Sequence, residues 1–329
     1  MKKVIILLGP TGVGKTAASI LLAKHLNTEI ISSDSMQIYK HMDIGTAKPS
    51  KEEQHTVKHH MIDIVEPWET YSTGEYIKAV QPIMDSLHKN GKIPIVVGGT
   101  GLYIRAMTRG IFKGPSADWD LRNELLEIEK GSPGYLYEYL KSLDPVAASK
   151  IMPTDTRRII RALEVCLKTN SVMSEMHQLL TQPLPYEFIK IGITRDRKEL
   201  YRMIEQRVDK MIDAGLVDEV KNVIGLIKSK GYRQEAIGYN GKESLPIAHC
   251  PLPIAYSSMQ AIGYKEIAMH LNGEISLEET IALVKKRSRN YAKRQFTWFK
   301  KEEGIQWIDV TGIYEPSDIF QKMLQFIHA

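Results

Sequence analysis

Gly9, Pro10, Thr11, Gly12, Val13, Gly14, Lys15 and Thr16 follow the spacing G-x-x-x-x-G-K-[ST], directly after an apolar run at 4–8 and directly before a helical pattern at 17–26. Glycines there let backbone N–H groups curl around phosphate oxygens, and the start of the next helix adds the positive end of its dipole. Lys15 supplies a full charge and Thr16 a hydroxyl able to ligate Mg²⁺. The expected ligand is a phosphate ester or diphosphate, and the loop alone does not say which.

Ordinary P-loop ATPases and GTPases follow a later apolar strand with a magnesium-holding Asp. Here the run Ile95-Val96-Val97 leads instead into Gly98-Gly99-Thr100-Gly101. A glycine turn at a strand's C-terminal end admits a ligand to the backbone, which makes Thr100 a candidate contact, while a plain tight turn explains it equally. The nearest strand-end carboxylate is Asp34, in Ser33-Asp34-Ser35-Met36-Gln37. It is a candidate general base or magnesium ligand if its strand neighbours the first one, and otherwise forms an Asx turn or cap. Gln37 either reads a base edge or serves as a capping partner. Arg207 falls inside the apolar stripe Leu200, Met203, Ile204, Val208 and Met211. Either its stem lies along the core with the guanidinium reaching outward, or it faces a buried anion, which a phosphate would satisfy bidentately.

These groups need a frame, and the chain supplies one. With 329 residues, 43% hydrophobic and 25% charged, it has enough apolar surface for one large or two ordinary domains, which excludes disordered and collagen-like classes. Runs at 4–8, 29–32 and 93–97 predict buried parallel strands, and patterns at 17–26 and 73–88 predict helices between them, hence an α/β sheet. From 116 to 180 only helical stripes occur, punctuated by prolines, and a strand at 188–193 predicts that the sheet resumes. Helices are expected at 196–214, 257–271 and 277–301, and an irregular stretch at 230–257. The expected organisation is a P-loop NTPase-like parallel sheet core over 1–114, a helical insertion over 115–187, and the rest of the core with a basic helix over 188–329.

Forty-four basic against 39 acidic side chains give a net charge of +5, compatible with a polyanionic partner. Arg157, Arg158 and Arg161 on one predicted helix, and eight Lys or Arg with no acid over 285–301, supply two basic clusters for it. The two cysteines, Cys166 and Cys250, match no disulfide or zinc pattern, and His55, His59 and His60 lack metal-site partners. The N-terminal apolar run is too short for a secretory signal, and no run is long enough to span a bilayer, so a cytoplasmic location is expected.

Taken together, the P-loop, Ile31-Ser32-Ser33-Asp34-Ser35-Met36-Gln37-Ile38-Tyr39, the stretch 42–49, Gly98-Gly99-Thr100-Gly101-Leu102-Tyr103, the stretch 161–165 and Gln260-Ala261-Ile262-Gly263-Tyr264-Lys265 stand in the order found in the tRNA dimethylallyltransferase (tRNA isopentenyltransferase) family. The chain resembles that family over essentially its whole length. One departure is the stretch 230–257, longer than the usual connection before Gln260. Ala-Ile-Gly-Tyr also occurs at 236–239, and the second copy fits better because Gln260 precedes it and Lys265 follows.

The resemblance implies transfer of a dimethylallyl group from dimethylallyl diphosphate to N6 of adenosine 37, beside the tRNA anticodon, giving N6-(dimethylallyl)adenosine. It implies a leaving diphosphate in the P-loop with Mg²⁺ at Thr16, leaving-group stabilisation by Lys15 and Arg207, and Asp34 as general base toward a flipped base. Its tRNA contacts carry onto Asp34, Ser35, Met36, Gln37, Thr100, Arg157, Arg158, Arg161, Gln260, Gly263, Tyr264 and Lys265, in a chain expected to act as a monomer. The rival readings are a P-loop small-molecule kinase using ATP and a non-catalytic RNA-binding protein.

Overall fold

The computed structural model describes residues 2–112, 114–169, 171–179, 181–231 and 256–327. The expected irregular stretch, the first Ala-Ile-Gly-Tyr copy and Cys250 lie wholly or mostly outside them. Among the described residues no helix is long and apolar enough to cross a membrane.

The chain divides into two compact units, Met1–Ile104 with Pro185–Ala329, and Arg105–Leu184. In the first, six strands form the sheet, the central ones from β-branched runs buried on both faces. These are β1 (Lys3–Leu8), β2 (Ile30–Ser33), β3 (His59–His60), β4 (Ile95–Gly98), β5 (Glu187–Thr194) and β6 (Ile305–Asp309). They make one sheet of order β3-β2-β4-β1-β5-β6 with every pairing parallel. The α/β class with a parallel core is therefore as expected. β3 and β6 were not foreseen. β3 is two residues long, and β6 is an edge strand that buries only Ile308, so neither leaves a continuous apolar run.

Around the sheet stand α1 (Lys15–His25), α2 (Lys51–Thr56), α3 (Thr73–Lys89) and α4 (Gly101–Thr108), the last running on into the second unit. Ser50 and Ser72 start α2 and α3 with complete capping boxes. The second unit holds α5 (Trp119–Gly131), α6 (Tyr135–Leu143), α7 (Pro145–Ala148), α8 (Thr156–Thr169) and α9 (Met173–Leu179) around a core of Leu125, Leu136, Leu140, Ile159 and Leu163. Its bounds, 105 and 184, compare with 115 and 187 read from the sequence.

After β5 come α10 (Arg197–Asp213), α11 (Leu216–Leu226), α12 (Tyr264–Leu271), α13 (Leu277–Phe299) and, after β6, α14 (Pro316–Leu324). The helix expected from 257 begins only at Tyr264. Ser258–Gln260 form a 3₁₀ turn, and Gly263 at φ 98° interrupts any continuation between them. α11 and α14 were missed. α11 packs with α12 and the loop after β2 into a second core that includes Tyr39, Met42, Val220, Met259 and Tyr264.

Candidate active site

Three strand ends build the site. β1 ends at Leu8 and leads into the P-loop, β2 ends at Ser33 just before Asp34, and β4 ends at Gly98 before Thr100. The candidate roles of Asp34 depended on whether its strand and that of the P-loop are neighbours. They are not, since β4 lies between them, and two strand spacings separate their ends by about 10 Å. Asp34 and the loop therefore face each other across the glycine turn. That explains the turn's composition, because a Cβ on Gly98 would stand 2.2 Å from the Ser33 carbonyl oxygen.

The P-loop carries its charge inward. Lys15 Nζ donates to the carbonyls of Gly9 at 2.9 Å and Pro10 at 2.7 Å. Gly14, at φ 102°, leads α1 without a side-chain cap or an acid in the first turn, so the helix's positive end stays uncompensated. Burial, together with the nearby Arg207 guanidinium, lowers the Lys15 ammonium to about 7 against the opposing pull of Asp34. Arg207 lines both cavities beside the P-loop. It comes from α10, its Nη1 lies 3.4 Å from Thr11 Oγ1, and burial pulls its pKa down while Asp34 holds it up.

Asp34 accepts the Met36 N–H on Oδ1 at 2.9 Å, so it does form an Asx turn. Its second oxygen makes no hydrogen bond among the described residues, and the residue lines two adjoining cavities. One, of about 460 Å³, runs along Thr11–Thr16 to Gly99 and Gln206. The other, of about 200 Å³, is walled by Met36, Ile204, Val208, Met211, Leu216 and Ile262. Thr11, Asp34, Thr46, Arg207 and Tyr291 border both.

The remaining sequence candidates divide. Thr100 Oγ1 accepts the Ser35 N–H at 3.0 Å and holds the Asp34 turn. Gln37 has its amide taken up by the protein: Oε1 accepts from Ser32 at 2.9 Å, and Nε2 donates to Thr46 and Ala47 carbonyls at 3.3 and 3.2 Å. In this structure it braces a loop instead of presenting an edge for a base. Ser35, Met36 and Gln260 line the apolar cavity. Gly263 turns the chain into α12, and Lys265 is half-buried on that helix. Tyr264 is fully buried, and its hydroxyl donates to Glu219, so it stands in the core with no surface to offer an RNA.

In the helical unit, Arg157 and Arg158 are exposed on α8, with Arg158 3.4 Å from Asp155. Arg161 instead donates to the buried Glu164 and to the Pro115 carbonyl at 3.0 Å. On α13, Lys285 pairs with Asp209 at 2.6 Å, Arg287 with Glu266 at 2.5 Å, and Arg289 with Glu205. These three of the eight basic residues over 285–301 are committed to neighbouring helices. His60 pairs with Glu29 at 2.7 Å, and no cluster of three or more His, Cys, Asp or Glu suited to a metal occurs among the described residues.

Three site residues escaped the sequence reading. Gln295 and Tyr291 sit on the buried face of α13, and the available signal was two polar groups inside an otherwise apolar stripe. Glu219, on α11, accepts the N–H groups of Asp43, Ile44 and Gly45 at 2.8, 2.7 and 3.0 Å and fixes the loop that borders both cavities.

The fold defines a P-loop-like α/β protein interrupted by a helical unit. Residues 37–302 match the sequence model of the IPP transferase family. The chain is 54% identical to the tRNA dimethylallyltransferase of Thermodesulfovibrio yellowstonii, with 99% of each covered. Among solved structures it resembles the full-length tRNA isopentenylpyrophosphate transferase of Bacillus halodurans, at TM-score 0.68 and 38% identity over 100% of this chain and 96% of that one. It also resembles a eukaryotic dimethylallyltransferase acting on tRNA, at TM-score 0.78 and 30% identity over 100% and 80%. The chain belongs to the IPP transferase family.

Proposed function

We propose that the chain transfers a dimethylallyl group from dimethylallyl diphosphate to N6 of adenosine 37 in tRNA, giving N6-(dimethylallyl)adenosine and diphosphate. Its family makes it a prenyl transferase of the tRNA dimethylallyltransferase kind. The finer reading rests on one observation: the cationic P-loop cavity adjoins an apolar cavity across Asp34 and Arg207. A donor with a charged diphosphate head and a short hydrocarbon tail matches that pair of surroundings, whereas ATP would bring a polar ribose against methionine and isoleucine.

An adenine amine is a poor nucleophile because its lone pair is delocalised into the ring. The allylic carbon must therefore carry much positive charge as the C–O bond to diphosphate breaks. Lys15, Arg207 and the N–H groups leading into α1 take up the charge that develops on the leaving group. The new bond forms between N6 and the allylic carbon, and Asp34 accepts the N6 proton on its second oxygen. Flipping the base costs a few kcal/mol, least in a single-stranded loop, and brings the amine out of the stack. Mg²⁺ would be held by the Thr16 hydroxyl and the diphosphate oxygens, in keeping with an ion that retains several waters, and would add positive charge at the leaving group. We read the chain as a monomer that acts on tRNA in the cytoplasm.

The test combines purified protein, Mg²⁺, tRNA with unmodified adenosine 37 and labelled dimethylallyl diphosphate, followed by nucleoside analysis. Label at N6 of that adenosine is the expected result. Transfer of labelled γ-phosphate from ATP to a small molecule, with no prenylated nucleoside, would replace this reading by the kinase.

A further inference from the structure

We propose that Gln295 is a positioning residue for prenyl transfer, fixing the distance between the loop that holds the leaving group and the turn that holds the proton acceptor. The inference rests on the functional reading above. Gln295 lies 284 residues from Thr11 and is 6% exposed. Its Oε1 accepts the Thr11 N–H at 2.8 Å, and its Nε2 donates to the Gly99 carbonyl at 2.9 Å. Both bonds reach backbone, so they place the two loops whatever side chains those loops carry.

The Gly99 contact continues into the chemistry. The next residue, Thr100, takes the Ser35 N–H on its hydroxyl and donates its own N–H to the Ser33 carbonyl at 3.1 Å, bracketing Asp34 from both sides. On the other side, Thr11 carries the hydroxyl that Arg207 approaches. One amide thus joins a path from Arg207 and the P-loop to Asp34, across a gap that β4 spans with glycines. The fit is close, since a Cβ on Gly99 would fall 2.1 Å from Nε2. A glutamine is suited to the task because it donates and accepts at once. A buried carboxylate would accept from Thr11 but repel the Gly99 oxygen.

Gln295→Met keeps length and volume and removes both bonds, whereas Gln295→Glu keeps the acceptor for Thr11. Gly99→Ala attacks the same contact from the other side. Steady-state kinetics on the full chain, with dimethylallyl diphosphate and tRNA each varied, and thermal unfolding of each variant, form the experiment. Misplacing reacting groups by about 1 Å costs roughly 100-fold in rate. Gln295→Met is therefore expected to lower kcat by about 10- to 100-fold with each KM changed less than about threefold. Gln295→Glu, which keeps the Thr11 acceptor but sets a carboxylate against the Gly99 oxygen, should also lower kcat, and Gly99→Ala should reproduce the loss. Unchanged kcat in Gln295→Met overturns the proposal. So does a loss that follows unfolding, or an equal weakening of tRNA binding, in all three variants. Failure of the unsubstituted chain to transfer any prenyl group refutes the functional reading itself, whereas transfer by it and equally by Gln295→Met refutes only the positioning role.

Discussion

In the helical unit the buried carboxylate of Glu164 receives Arg122 Nε and Nη2 at 2.9 and 2.8 Å, the Asp118 N–H at 2.7 Å, and Arg161. In the sheet unit Asp34 receives a single N–H and turns its other oxygen to a cavity shared with Lys15 and Arg207. Both places gather arginine and carboxylate away from bulk water. Burial pushes the Glu164 carboxyl up, and its hydrogen bonds outweigh that and hold it below the usual range. Lys15, by contrast, meets two carbonyls and an opposing guanidinium, and its ammonium drops. Folding satisfies the first cluster completely, so it stabilises the fold. The second is left with unspent charge and room beside it, which is the condition for binding something else.

The largest expected effect separates the clusters most sharply. Asp34→Ala should lower kcat by about 10²- to 10⁴-fold with diphosphate and tRNA affinities retained. Full activity in that variant would show that Asp34 serves only its turn. Glu164→Gln should do the reverse, destabilising the chain by about 3 kcal/mol through two arginines left without their partner, as read by denaturant unfolding. In the unsubstituted chain the Glu164 contribution is present above the ordinary glutamate value of 4.5 and is lost as pH falls through its lower folded value.

A smaller effect reads the charge on Lys15. Because its free ammonium loses a proton near 7, and a bound anion needs that charge, the affinity advantage of the unsubstituted chain over Lys15→Met for diphosphate should shrink as pH rises above about 7. Ionisation of diphosphate itself is common to both and cancels in the ratio, so a flat ratio from pH 6 to 9 would contradict the assignment. The smallest effect tests the exposed basic face of α8. Arg157→Ala should reduce the slope of tRNA affinity against salt by about one, measured by filter binding at several salt concentrations. Arg161 is unsuited to that test, since its substitution disturbs Glu164.

Local patterns were legible where their physics is local. The P-loop was readable because its eight positions are contiguous and a phosphate is bound chiefly by backbone and the following helix. Strands β1 and β4 were readable because burial on both faces makes the run continuously apolar, and β2 and β5 by their shorter isoleucine-rich stretches. Hence the sequence by itself determined the α/β class, the glycine-rich loop between β1 and α1, and the presence of Asp34 at a strand end. Tertiary structure decided what those residues face. Strand order put β4 between Asp34 and the loop, and a helix nearly 200 positions away brought Arg207 to Thr11. Packing buried Tyr264 and engaged Arg161, though both look like surface candidates along the chain. It also delivered Gln295 to both loops. Spacing along a chain records which side chains share an element's face, whereas the partner across a gap depends on how separate elements dock, and no local period carries that.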